Sequence, residues 1–250
     1  MNHTGVVART STLILFDIDG TLLLSGGAGK RALNRAFHEL FGVVDGFDGV
    51  PVAGRTDRLI FDDALSRARL TVKCELRDRF YRRYYELLEQ EIVSPGPRKG
   101  LMPGVRALLD DLETRADLTC ALLTGNFARA ARIKLEHFDI WRYFVCGAYG
   151  DDAPHRDALV PVAVDRARQQ GISVQLATHV VVVGDTPLDI QCAKAAGARS
   201  VAVATGSFDE ASLKAHSPDS VLPDLTDPRL FLDLLSTDGE AATGEEDELS

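Results

Sequence analysis

Five short, nearly continuous apolar runs constrain what this chain can fold into more than any other feature. They lie at residues 12–18, 118–124, 143–149, 179–184 and 200–204. Each is rich in Val, Ile, Leu or aromatic residues, and turn or acidic residues bound most of them. A strand with one wet face alternates apolar and polar residues, whereas an unbroken apolar run is covered on both faces, as in a parallel sheet. Helical patterns separate the runs, at residues 105–115, 128–137, 157–170 and 188–196. Pro103-Gly104 and Pro187 stand before helical patterns, while Gly171 and Gly197 stand after them. That is the usual asymmetry of helix starts and stops. The alternation predicts an α/β fold built on an open parallel, Rossmann-like sheet.

One interval breaks the alternation. About a hundred residues lie between the first and second runs, far more than one crossover needs. Helices are expected there at 29–41, 56–68 and 73–91, with no convincing strand, and Pro95-Gly96-Pro97 then returns the chain. The expectation is an all-helical cap inserted at residues 25–98 into a core formed by 11–24 plus 99–235. The ends, 1–10 and 236–250, are expected to be disordered. Six of the formal nine net negative charges lie in the last segment, on Asp238, Glu240, Glu245, Glu246, Asp247 and Glu248, with no Lys or Arg among them. Such a tail has too little apolar surface to order itself.

The rest of the chain is nearly balanced in charge and shows no basic patch, which argues against nucleic acid as a partner. No apolar run approaches the ~18 residues of a membrane span. Cys74, Cys120, Cys146 and Cys192 are scattered, with no C-x-x-C pair, which excludes a zinc-site pattern and suits a cytoplasmic protein.

Ligands of open parallel sheets sit beyond the carboxyl ends of the strands. The first run ends in Phe16-Asp17-Ile18-Asp19-Gly20-Thr21, and the fourth in Val183-Gly184-Asp185-Thr186-Pro187-Leu188-Asp189. A turn or a helix cap explains one of these carboxylates but not the whole set. An unpaired carboxylate at the end of a buried strand is costly, and several on one sheet edge repel. A hard divalent cation with oxygen ligands removes both costs, and Mg²⁺ needs only one or two direct carboxylates. The second run ends in Thr124-Gly125-Asn126, where a hydroxyl and the free N–H groups of a helix start can cradle an anion.

These residues together resemble the haloacid dehalogenase-like (HAD) superfamily. Asp17-Ile18-Asp19-Gly20-Thr21 is similar to its first motif, D-x-D-G-T. Thr124 is similar to the second, and Gly184-Asp185 with Asp189 to the fourth, G-D-x-x-x-D, all in the family's order. The resemblance covers residues 13–204 and includes a helical cap after the first motif. It implies a Mg²⁺-dependent phosphatase. Asp17 would be the nucleophile and would form an aspartyl phosphate. Asp19 would be the general acid and base. Asp17, Asp185 and the backbone carbonyl of Asp19 would hold the metal, with Asp189 in support. Thr124, Gly125 and Asn126 would bind phosphate.

The third motif normally supplies a Lys. The corresponding stretch, from Gly150 to Asp157, has none. Arg156 is the expected substitute, since a cation at a helix start is otherwise misplaced against the helix dipole. His155 is an outside candidate. In the cap, Gly54-Arg55-Thr56-Asp57 is similar to a segment that faces the active site in related phosphatases, so Arg55 is a candidate substrate contact, with Thr56 as a helix cap. Ser25-Gly26-Gly27 reads as a hinge. Two other patterns fail. Gly26-Gly27-Ala28-Gly29-Lys30 has the wrong spacing for a P-loop. Gly27-Ala28-Gly29-Lys30-Arg31-Ala32 does not directly follow a strand, as a dinucleotide fingerprint should.

The resemblance points to a phosphoglycolate-phosphatase-like enzyme acting on a small phosphorylated metabolite, as a monomer or homodimer. A sugar phosphomutase of the same superfamily and a non-catalytic phosphate-binding module are the alternatives. A haloacid dehalogenase would lack the second carboxylate, Asp19.

Overall fold

The computed structural model describes residues 11–175 and 179–236. Its centre is a six-stranded parallel sheet. In chain order the strands are β1 (Thr12–Phe16), β4 (Leu118–Leu123), β5 (Gly147–Ala148), β6 (Val180–Gly184), β7 (Arg199–Val203) and β8 (Ser220–Leu222). In space the order is β5-β4-β1-β6-β7-β8. β1 therefore lies between β4 and β6, in register with both: Phe16 pairs with Leu122 on one side and Val183 on the other. The expected parallel α/β sheet is thus present, with the two motif-bearing neighbours flanking β1.

Both faces of β1 are buried, which accounts for its unbroken apolar run. Ile14 and Phe16 join Leu122, Val181 and Val183 under helices α4 (Val105–Glu113) and α5 (Ala128–His137), with Phe231 of α9 (Pro228–Ser236). Leu13 and Leu15 face the opposite way, onto α6 (Leu159–Gln169) and α7 (Pro187–Ala195). A short helix, α8 (Glu210–Lys214), follows β7.

The interval after β1 holds three helices, α1 (Ala28–Phe41), α2 (Asp57–Arg67) and α3 (Cys74–Glu91). They enclose an apolar cluster of their own around Phe37, Phe47, Phe61 and Phe80, and the rings of Phe61 and Phe80 stack 4.1 Å apart. Such aromatic pairs add stability beyond their buried area. Phe127 and Ala130, at the start of α5 just after β4, also enter this cluster. The two chain segments joining these helices to the sheet pair with each other as a small antiparallel ribbon, β2 (Leu23–Leu24) with β3 (Gly100–Leu101). Beside it Gly26 and Gly96 touch through their backbones: a Cβ on Gly96 would lie 2.1 Å from the Gly26 carbonyl oxygen. Gly26, one of the two glycines expected to form a hinge, thus lies at a close backbone crossing.

Three expectations need correction. The run at 143–149 forms only the two-residue β5, preceded by a 3-10 turn at Trp141–Tyr143. It is an edge strand with a partner on one side, so little of it is held in the ladder. β8, at the other edge, has only three residues, too few to show a periodicity. The ribbon β2–β3 was not expected at all, because two-residue strands carry no pattern. Residues 1–10 and 237–250, expected to be disordered, lie outside the described residues, whereas Ser236 ends α9.

Gly104 opens α4 at φ +81°, and a Cβ there would lie 1.9 Å from the Leu225 carbonyl oxygen. Both the dihedral and the space exclude a side chain. Gly104→Ala is expected to cost roughly 2–4 kcal/mol, lowering the melting temperature by about 5–10 °C. A calorimetric scan of the variant against the parent checks this.

Candidate active site

The carboxyl end of β1 opens into a cavity of about 290 Å³ between the sheet and helices α1 to α3. Asp17, Asp19, Thr124, Gly125, Asn126, Arg156 and Asp185 all line it. Sheet order explains the convergence. β4 delivers Thr124 on one side of Asp17 and β6 delivers Asp185 on the other.

Asp17, Asp185 and Asp189 form a buried trio whose carboxylate oxygens can lie within 4.8 Å of one another. Arg156 is also buried. Its Nη2 donates to Asp17 Oδ1 at 2.9 Å and to the Leu123 carbonyl at 2.8 Å, and its guanidinium contacts Asp189 Oδ1. Arg156 is therefore an internal cation and not a surface residue. Burial acts to lower its pKa, but Asp189 and Asp17 outweigh that and raise it, so it stays charged. The other oxygen of Asp189 accepts from the backbone N–H and hydroxyl of Thr186, at 3.0 and 2.7 Å. Thr186 is the N-cap of α7, and Asp189 closes a capping box with it. Exposed His155 lies away from the cavity lining.

Asp19 stands apart from the trio. Its carboxylate receives Lys134 Nζ at 2.8 and 2.6 Å and Asn126 Nδ2 at 2.8 Å. Lys134 also donates to Asn126 Oδ1 at 2.7 Å, and Asn126 donates to Thr124 Oγ1 at 2.8 Å. The Thr124 hydroxyl accepts from the Asn126 side-chain amide and backbone N–H, which leaves its own proton free to point at a ligand. Sequence reasoning missed Lys134. The available signal was its position in α5, where it shares a face with the buried Ala130, Ala131 and Leu135. A lysine on an apolar helical face needs a partner.

Four carboxylates (Asp17, Asp19, Asp185, Asp189) meet two cations, Arg156 and Lys134. The two-charge excess sits in the trio. Burial first, and then Asp189 and Asp19, push the Asp17 pKa up to about 6, against the pull of Arg156. Burial, and then repulsion from Asp17 and Asp189, push Asp185 up to about 8. Asp185 has a hydrogen bond from Thr21 Oγ1 at 3.1 Å, and the backbone wraps it closely: a Cβ on Gly206 would lie 1.7 Å from Asp185 Oδ2. Oxygen ligands only, excess negative charge and a glycine-lined wall fit a hard divalent cation.

Helix α2 enters the site through the loop before it. The Asp57 N–H donates to the Gly125 carbonyl at 2.8 Å, and Phe127 N–H donates to Asp57 Oδ2 at 2.9 Å. Thr56 caps α2, accepting from Leu59 N–H, and donates to the Pro154 carbonyl at 2.8 Å. Arg55 lines the cavity, but its guanidinium is tied to Asp63 at 2.7 Å.

A family model described as haloacid dehalogenase-like hydrolase matches residues 14–194. The chain belongs to the haloacid dehalogenase-like hydrolase family. Among relatives, it is 30% identical over 220 residues to a phosphoglycolate phosphatase of Vibrio vulnificus, covering 85% of this chain and 92% of that one. It is 28% identical over 235 residues to the phosphoglycolate phosphatase of Escherichia coli, covering 86% and 89%. A hydrolase from Pseudomonas syringae superposes with a TM-score of 0.67 at 21% identity, over 90% of this chain and 99% of that one. CbbY from Rhodobacter sphaeroides, in complex with phosphate, gives 0.65 at 20% identity, over 87% and 96%. These structures share the HAD-like fold. Among the described residues no helix is long and apolar enough to cross a membrane.

Asp57 offers a test of burial independent of the trio. Burial pushes its pKa up to about 6, partly offset by Lys134. The folded value lies above the unfolded one, so its stabilising effect is complete below pH 4 and is lost as pH rises through 6. A shift from 3.8 to about 6 corresponds to at most about 3 kcal/mol. Asp57→Asn has no such loss. Its stability relative to the parent is therefore expected to rise between pH 4 and pH 7, and paired melting curves across that range check the slope.

Proposed function

We propose that this protein is a phosphatase that hydrolyses a small soluble phosphomonoester, with Asp17 as the nucleophile and Mg²⁺ as the cofactor. The observation that carries the reading is the convergence of Asp17, Asp19, Thr124, Arg156 and Asp185 on one cavity at the end of β1. Phosphoryl transfer depends mostly on positioning and charge stabilisation, and these residues supply both. Asp17 attacks phosphorus, the bond to the leaving oxygen breaks, and Asp19 delivers a proton to that oxygen. Asp19 then takes a proton from water as the water attacks the aspartyl phosphate, which releases inorganic phosphate and restores Asp17. Thr124, the backbone at Gly125, and Asn126 hold the phosphoryl oxygens. Arg156 keeps Asp17 aligned and offsets charge in the transition state. Asp17, Asp185 and the Asp19 carbonyl are the ligands we assign to Mg²⁺, which when bound neutralises phosphoryl charge; Asp189 steadies Arg156 and the Thr186 turn. Residues 25–98 act as the cap that shelters the reaction from water. The four cysteines are free thiols, which fits a cytoplasmic setting.

The test is phosphate release from para-nitrophenyl phosphate, 2-phosphoglycolate and a panel of small phosphomonoesters. Removing divalent metal with a chelator is expected to lower the rate at least about 100-fold, with recovery on adding Mg²⁺. Metal-independent turnover would overturn the cofactor assignment. Transfer of phosphate within a sugar phosphate, without net release, would indicate a mutase.

A further inference from the structure

The cavity contains polar atoms that the chemistry at Asp17 does not use. Tyr84, on α3, is 1% exposed and lines the cavity, yet its hydroxyl has no hydrogen-bond partner among the described residues. Asp57 is 8% exposed and also lines the cavity. Its Oδ2 accepts from Phe127, while Oδ1 has no partner among the described residues. Asp57 is near enough for its charge to raise the Tyr84 pKa, after burial. The Tyr84 hydroxyl and Lys134 Nζ both lie 3.9 Å from the point where a Gly29 Cβ would stand, so Tyr84 reaches the same stretch of cavity wall as Lys134. The Tyr84 hydroxyl and Asp57 Oδ1 open onto the cavity with no protein partner among the described residues, so together they offer a hydroxyl and a carboxylate oxygen to a ligand's polar group.

The charge of that ligand group follows from the cations. Lys134 is committed to Asp19, Arg156 to Asp17 and Asp189, Arg55 to Asp63 and Lys30 to Asp48. Of the cavity-lining cations among the described residues, Arg98 alone has no carboxylate partner; it is exposed and donates to the Thr205 carbonyl. A substrate carboxylate at the buried end would meet the Asp57 and Asp19 carboxylates with one shared ammonium. A hydroxyl would donate to Asp57 Oδ1 and accept from Tyr84, satisfying both atoms. Leu33, Phe47 and Ile60 supply the apolar walls.

We infer that Asp57 and Tyr84 read a hydroxyl on the leaving group, so that the favoured substrates are phosphate esters of neutral compounds that carry a further hydroxyl. This rests on the phosphatase reading and narrows it. The probes are 2-hydroxyethyl phosphate, ethyl phosphate, which lacks the hydroxyl, and 2-phosphoglycolate, which carries a carboxylate in its place. Sites built to bond a substrate hydroxyl discriminate strongly against analogues without one. The wild-type kcat/KM for 2-hydroxyethyl phosphate is expected to exceed that for each of the other two by at least about tenfold. Tyr84→Phe, which removes one unpaired hydroxyl and keeps the ring, is expected to cut the hydroxyethyl-to-ethyl ratio at least about fivefold, chiefly through KM. Asp57→Asn provides a second variant whose ratio should also fall. Equal use of ethyl and 2-hydroxyethyl phosphate, a preference for 2-phosphoglycolate, or a ratio unchanged in both variants would each overturn the inference, and leave the phosphatase reading standing. Absence of metal-dependent release from all esters, para-nitrophenyl phosphate included, would refute that reading and this inference together.

Discussion

Asp17→Asn is expected to stop turnover, lowering kcat by on the order of 10⁴ or more, since loss of the nucleophile we propose removes the route and not just a contact. The fold should survive the change. Asp17 is buried at the end of the central strand, and its backbone N–H donates to the Val183 carbonyl at 2.9 Å whatever the side chain. Burial disfavours its charge and raises its pKa to about 6, so a neutral amide of the same shape relieves repulsion within the trio. The variant should therefore melt no lower than the parent at pH 7.5 while its phosphate release falls to background. The check is a rate assay paired with a thermal scan on the same preparation. Retention of more than about 1% of the rate in a folded variant would move the nucleophile elsewhere.

Arg156→Met is expected to damage both stability and, on the proposed phosphatase reading, activity. Arg156 is the cation in contact with two buried carboxylates, Asp17 and Asp189, and it also holds the Leu123 carbonyl. Methionine keeps much of the stem volume and removes the charge. Breaking a buried ion pair from one side leaves charges uncompensated, at a cost of about 3–5 kcal/mol. The Asp17 carboxylate, which burial already pushes up to about 6, can take up a proton to lessen this, which makes the loss smaller at pH 5 than at pH 8. Activity should fall a further 10²-fold or more, roughly the worth of one preorganised charged contact in a transition state. Arg156→Lys restores the charge, but one ammonium on a shorter stem cannot form the same planar fork, so recovery should be partial. Denaturant melts at pH 5 and pH 8, with kcat for all three proteins, decide the matter. Wild-type stability and rate in Arg156→Met would show that the trio is balanced by some other group.

The departure at the third motif shows how local and tertiary information divide. The absence of Lys between Gly150 and Asp157 is plain in the sequence, and the resemblance implies a cation there, for which Arg156 is the expected substitute and His155 the outside candidate. That Arg156 faces inward could be argued only weakly, from a cation placed at a helix start. Its ion pairs with Asp17 and Asp189, 139 residues before it and 33 after, are what make it internal. Asp189 had two local explanations, metal support and helix capping. The structure gives it a cap on Thr186 with one oxygen and Arg156 with the other.

The strands that build the site were legible because their burial on both faces is written as runs of apolar residues. The order of motifs after β1, β4 and β6 was legible because local segments carry them. Helix bounds of α1, α2, α3 and α5 could be read to within a residue or two from periodicity and caps. The short edge strands β5 and β8 and the ribbon β2–β3 left little trace, since two or three residues cannot express a period. Lys134, Asp57 and Tyr84 belong to three different helices. Tyr84 reads as an ordinary helical residue, Lys134 shows only an apolar face that calls for a partner, and Asp57 only its place in a segment resembling an active-site one; the packing of α2 and α3 against the end of the sheet brings all three to one cavity. Local pattern specifies elements and their faces, because it depends on near neighbours along the chain. Which distant faces meet depends on how the whole chain packs, and the leaving-group end of this site is made of such meetings.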